Sequence, residues 1–184
     1  HSLLPLVSIF VEPAKVLFLN NAINHGIFSP IGASQAAETG RSIMYMLEAN
    51  PGPGLGVLLA YCFFCKDDTT RQSAPGAVII HLLGGIHEIY FPYILMNPII
   101  ILAPIVGNFC AILFYSMTGA GLSGPASPGS IIAYMAMAPR DSILTVLLGV
   151  VIAAGVSFVL SSVILKATSG HTKSLTDAQN EMNE

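Results

Sequence analysis

Apolar positions along this chain fall into two long uninterrupted windows and several short ones. Residues 99–118 and 143–165 carry no Asp, Glu, Lys, Arg or His and are each about 20 residues or longer, enough for a helix to cross a hydrocarbon core of roughly 30 Å. Both are predicted as transmembrane helices. Residues 3–11, 16–19, 55–64 and 74–86 are also apolar but mostly too short to cross alone, and Pro, Gly and Asn interrupt them. Broken backbone at membrane depth is tolerated only where protein buries it or where it lines a wet cavity. The pattern therefore predicts re-entrant hairpins and a binding site in the upstream part of the chain.

Polar breaks complete the layout. Residues 66–71 (Lys-Asp-Asp-Thr-Thr-Arg) read as a solvated loop and residues 139–142 as a tight connection between two helices. Both are expected at or outside the headgroups. From Lys166 the chain turns polar and then acidic, which divides it into a membrane-embedded domain over residues 1–167 and a tail over 168–184, a linker or a frayed helix. Lys166 and Lys173 beside the last span place that tail in the cytoplasm. There is no fixed-period repeat. The chain opens on His1, with neither a basic start nor a cleavage site, and reads as an excised piece rather than a signal peptide.

Composition names the solvent. Of 184 residues 53% are hydrophobic and 9% charged, with a mean hydropathy of +0.71, too little polar surface to coat a water-soluble globule. The net charge of -3 and the scattered Lys and Arg leave no basic stripe, which excludes nucleic-acid binding. Cys62, Cys65 and Cys110 sit in apolar stretches. The Cys62–Cys65 spacing is that of a redox or zinc half-site, but no second ligand pair exists, so the thiols read as helix packing and no metal is expected.

From Gln72 to Pro139 the one formally charged residue is Glu88. An acidic side chain at the centre of a membrane helix costs about 2.5–3.5 kcal/mol, so such residues face a cavity, a partner or a substrate. The competing reading is a carboxylate at an interface, or one kept protonated against a neighbouring helix. His87 and Glu88 evoke a zincin, but that motif needs a second His where Phe91 stands. His81 reads as a satisfied helix histidine. A second polar cluster, Asn20, Asn21, Asn24 and His25, lies in otherwise apolar sequence. Amides and imidazole both donate and accept hydrogen bonds, as a polyhydroxylated ligand requires, and a carboxylate accepts from two adjacent hydroxyls. The alternative is that the Asn residues cap a broken helix. Residues 50–54 and 123–130 concentrate Pro, Gly and Ser; they are either interfacial turns or a hinge or cavity lining, the second stretch adding Ser hydroxyls without charge.

At residues 19–32, 48–61, 84–98 and 124–131 the sequence resembles the membrane (IIC) component of mannitol-specific phosphotransferase permeases. The resemblance runs over roughly residues 2–165. The Gly-Ile-x-Glu signature of the wider glucose-type superfamily stands here as Gly85-Ile86-His87-Glu88. What the resemblance implies is an all-α integral membrane fold with two re-entrant hairpins, forming the sugar-binding half of a homodimeric carrier that moves its substrate in an elevator-like step. It implies that Glu88 is the sugar-binding carboxylate, His87 its neighbour, and His25 the histidine of the first hairpin. Asn24 and Asn21 are further candidate contacts.

The resemblance also implies that two parts of a complete permease lie outside this sequence. These are the preceding membrane half used for dimerisation and the cytoplasmic IIB domain with its phosphorylatable Cys. The expected activity is uptake of mannitol across the bacterial cytoplasmic membrane, coupled to phosphorylation by that phospho-Cys domain and its upstream phosphorelay proteins. Membrane lipid is the expected surround, and this chain is expected to hold no catalytic group, cofactor or nucleotide site. The rival expectation is a proton-coupled secondary transporter of a polyol, in which Glu88 and the histidines carry protons; a third is a purely structural membrane subunit.

Overall fold

A computed structural model describes residues 3–18 and 23–181. Those residues are helical with loops, apart from one isolated antiparallel bridge between Ser42 and Leu122. The two short apolar runs at the start are one helix, α1 (Leu4–Phe18), with Pro13 inside it. The polar residues between the runs do not break the helix because Glu12 and Lys15, one turn apart, neutralise each other at 3.0 Å. A π-helix, Asn24–Phe28, leads into α2 (Ser29–Thr39), which has Pro30 in its first turn and ends at Gly40 with φ of 79°. A left-handed C-cap of this kind favours glycine.

Next come a 3₁₀ turn (Ile43–Tyr45), α3 (Met46–Ala49), α4 (Gly52–Phe64) and α5 (Asp68–Leu82). The stretch 66–71, expected as a solvated loop, is a loop only as far as Asp67. The Asp67 carboxylate caps α5 by accepting from the Thr70 amide at 2.8 Å and the Thr70 hydroxyl at 2.7 Å, so a local N-cap outweighs the polarity that suggested a loop. α5 folds back along α4. The chain continues through a 3₁₀ turn (His87–Tyr90), α6 (Phe91–Met96) and a second 3₁₀ turn (Pro98–Ile101) into α7 (Leu102–Thr118). A loop, α8 (Ile131–Ala136) and a turn closed by Ser142 N–H on the Pro139 carbonyl (2.9 Å) precede α9 (Ile143–Glu181).

Two stretches among the described residues are helical, long and apolar enough to cross a membrane, Pro98–Thr118 and Ile143–Thr168, in agreement with the two long windows of the sequence. α9 continues past Thr168 to Glu181 without a break.

α4, α7 and α9 pack on one another, α1 lies along α7, and α5 along α4. The central crossing is built from small residues: a Cβ at Gly56 would sit 2.7 Å from Ser157 Cβ, and one at Gly107 2.7 Å from the Ala153 carbonyl. Close backbone approach of this kind, with a hydroxyl bonding across helices, is how apolar helices associate without a hydrophobic drive. Ser157 Oγ supplies that bond to the Pro53 carbonyl at 2.8 Å. Outward, α9 exposes Leu144, Val151, Val159 and Val163, and α7 exposes Leu113 and Met117, an apolar belt suited to lipid.

Candidate functional site

Segments far apart in sequence converge on a cavity of about 420 Å³. The π-helix brings Asn24 and His25, the turn after α5 brings Gly85, His87 and Glu88, α3 brings Glu48, α1 brings Lys15, and the loop 125–129 forms the remaining wall. Four of the five predicted site residues, Glu88, His87, His25 and Asn24, therefore line one space. The fifth, Asn21, lies outside the described residues. Residues 125–129 of the 123–130 stretch line the cavity, as one of its expected roles required.

Local chemistry explains how the two closest walls meet. Gly85 has φ of 73°, and a Cβ there would lie 2.5 Å from Ser130 N and 2.8 Å from Gly129 N. A Cβ at Gly129 would lie 2.6 Å from His87 Nε2. Two glycines thus let the turn and the loop touch backbone to backbone. His87 spans the contact, Nε2–H donating to the Gly129 carbonyl at 2.8 Å. His81 stands behind it, ring centroids 4.7 Å apart, and is wholly buried with Nε2–H on the Pro51 carbonyl at 2.8 Å. Its Nδ1 has no hydrogen-bond partner, so the expectation of a satisfied helix histidine is half met.

Glu88 makes no ion pair among the described residues, is exposed, and lines the cavity. Glu48 lines the same space, and its carboxylate Oε2 is buried without a hydrogen-bond partner. Unpaired buried acceptors are rare in folded proteins and point to a ligand, an ion or a water. With His25, Asn24, Glu48 and Glu88 lining one volume, the site is equipped to accept and donate many hydrogen bonds to an uncharged molecule.

Beneath the cavity runs a buried network that sequence reasoning missed. Asn108 donates to Glu12 Oε1 (2.8 Å) and to the Leu47 carbonyl (2.9 Å), and Asn50 Nδ2 donates to Asn108 Oδ1 (3.3 Å). Glu12 is fully buried and Lys15 nearly so. The signals were present: opposite charges three residues apart inside an apolar run, and one amide inside a predicted span, are polar groups that membranes retain only with partners. No group of three or more His, Cys, Asp or Glu among the described residues is arranged to hold a metal ion.

Residues 5–107 match the family model for the phosphotransferase system, EIIC. The chain belongs to that family. The EIIC chain is similar to the mannitol-specific EIICB components of Bacillus subtilis (60% identity over 98% of this chain) and Geobacillus stearothermophilus (57% over 99%). It is also similar to the mannitol-specific EIICBA component of Escherichia coli (59% over 91%). It spans 38%, 38% and 26% of those three relatives. No solved structure matches it. The cavity between α1, the π-helix, α3 and the Glu88 turn is the candidate ligand site of the EIIC chain.

Proposed function

We propose that this chain binds mannitol in the cavity bounded by Asn24, His25, Glu48, His87 and Glu88 and carries it across the bacterial cytoplasmic membrane. Phosphorylation follows on a phospho-Cys IIB domain fed by an upstream phosphorelay. The observation that carries the reading is the convergence of Glu88, His87, His25 and Asn24, from two distant polar motifs, on one volume. At about 420 Å³ it falls within the roughly 300–1,000 Å³ usual for small-molecule sites. The names of the mannitol-specific relatives support the substrate.

A hexitol offers a row of vicinal hydroxyls and no charge. Carboxylates accept from adjacent hydroxyls with charge-assisted bonds, the strongest hydrogen bonds open to a neutral polyol, and the imidazole and amide fill the remaining positions. The π-helix at Asn24–Phe28 and the turn at residues 83–90 are, in this reading, the tips of two re-entrant hairpins that close on the sugar. Residues 1–167 form the membrane-embedded domain, residues 168–184 lead into the cytoplasm, and the permease works as a homodimer surrounded by lipid. The EIIC chain positions the acceptor hydroxyl; the phosphoryl group travels on protein side chains outside it.

The test is mannitol binding to the full-length permease. Glu88→Ala is expected to abolish high-affinity binding with expression and fold intact, and Glu88→Gln to weaken it, the amide keeping an acceptor without the charge. Unchanged affinity removes Glu88 from the site. In sealed vesicles the product should be mannitol phosphate alone; free mannitol accumulated on a proton gradient would favour the secondary-transporter reading.

A further inference from the structure

Lys15 lines the cavity, yet its ammonium is turned toward protein. It donates to Glu12 Oε1 at 3.0 Å and to the backbone carbonyl of Glu48 at 3.3 Å. Glu12 Oε2 accepts a longer bond, 3.4 Å, from the hydroxyl of Tyr90, the residue that closes the 3₁₀ turn containing His87 and Glu88. The ammonium also lies 5.9 Å from the centroid of the Tyr90 ring. One ion pair on α1 is thereby bonded to the backbone of the segment bearing Glu48 and to the side chain that ends the turn bearing Glu88. No hydrogen bond or ion pair among the described residues joins those two segments through Glu48 and Glu88 themselves.

We propose that Glu12 and Lys15 are positioning residues of the cavity, setting the separation and orientation of the Glu48 and Glu88 carboxylates. The inference rests on the reading of that cavity as a mannitol site. A linear polyol is conformationally free, so acceptors hold it tightly only if they are fixed in advance. Replacing a buried ion pair by apolar residues is often neutral or stabilising, so packing alone does not call for this one. The compact ammonium, with three donors, suits the anchoring of a single carbonyl beside a carboxylate.

The experiment compares variants of the full-length permease in membrane vesicles, measuring labelled-mannitol affinity and thermal unfolding together. Lys15→Met is expected to lose at least 10-fold in affinity and some thermal stability, since Glu12 is left buried and unpaired. The double variant Glu12→Gln with Lys15→Met removes both charges, while the amide that replaces the carboxylate still serves Asn108 and Tyr90. It should regain the lost thermal stability and stay at least 10-fold weaker in mannitol binding. Recovery of affinity together with stability would mean that the pair serves only the fold and would overturn the inference. Lys15→Arg, which keeps both donor contacts, should restore affinity to within about 3-fold; binding as weak as that of Lys15→Met counts against the proposal.

Glu88→Ala in the same assay separates the two levels. If it binds normally, the mannitol reading fails and this inference with it; if it abolishes binding while the double variant binds as the wild type does, the positioning role alone is wrong. Should the double variant not fold, Tyr90→Phe replaces it. An affinity loss of 3-fold or more at unchanged stability supports the proposal, and wild-type affinity overturns it.

Discussion

His87 and Gly129, 42 residues apart, are joined by one hydrogen bond of 2.8 Å. A carbonyl only accepts, so the His87 Nε2 carries the proton and Nδ1 is left for another partner. The bond fixes the Glu88 turn against the loop 125–129. His87→Ala leaves the Gly129 carbonyl without its donor, a cost of about 1–3 kcal/mol for a buried group. Mannitol affinity of the full-length permease is expected to fall by 10-fold or more, with His87→Gln, which keeps a donor, falling less. Equilibrium binding to membranes decides it; equal affinities would separate His87 from the site.

Gly85 is where backbone shape and site geometry coincide. Gly85→Ala forces a Cβ into the left-handed region, which costs about 1–2 kcal/mol, and sets it 2.5 Å from Ser130 N. Gly155, by contrast, has nothing within 4 Å of its Cβ position, so Gly155→Ala is expected to be neutral or to stabilise by about 0.5–1 kcal/mol. Thermal unfolding of the two variants should split in opposite directions, and mannitol binding should be lost in the first alone.

Asn108 holds three segments with one side chain. Asn108→Ala strips the donor from the Leu47 carbonyl and the acceptor from Asn50 Nδ2, while Glu12 Oε1 keeps Lys15, about 1–3 kcal/mol for each group left unpaired in a dry interior. A fall of several degrees in the unfolding midpoint is expected, larger than for alanine at the exposed Thr39.

Gly56 sits in the α4–α9 crossing with Ser157 Cβ 2.7 Å from where its own Cβ would stand. Gly56→Leu cannot be accommodated by a rotamer change because α9 backbone lies on the same side. Overpacking of this kind costs about 1–3 kcal/mol or more, and loss of the folded protein from membranes, followed by detergent-resistant fluorescence or immunoblot, is the expected result.

Arg41 pairs with Asp141 at 2.7 Å on the exposed end of the molecule. The hydrogen bond from Arg41, and its charge, hold the Asp141 carboxyl below the ordinary carboxylate range. A depressed value means that the contact contributes above the unfolded value, about 3.9, and is lost as pH falls through the lower folded one. Unfolding midpoints of the wild type and Arg41→Gln should therefore track each other between pH 8 and pH 5 at physiological salt, since exposed pairs contribute little. A gap that opens across that range would contradict the assignment.

The parts legible from sequence were those written in long-range composition. Residues 99–118 and 143–165 announced themselves because an unbroken apolar window leaves a membrane helix few alternatives. Glu88 stood out because nothing else charged lies between Gln72 and Pro139, and Asn24 and His25 because they are polar in apolar surroundings. What stayed hidden depends on tertiary pairing. Glu12 and Lys15 looked like an interruption because the Asn108 that completes their buried pair stands 96 residues further along the chain. Glu48 sits on a four-residue helix with no periodicity to flag it. The start of α5 was hidden by its own cap, Asp67 and Thr70 being as polar as any loop.

The spacing of Glu12 and Lys15 has a consequence for packing. Because the two lie a single turn apart on one helix, their charges cancel before α1 meets α3, α7 or the Glu88 turn. The helix is a neutral unit at this point, and its neighbours pack on a pair already made, whereas Glu12→Gln or Lys15→Met alone would leave them a lone charge to bury.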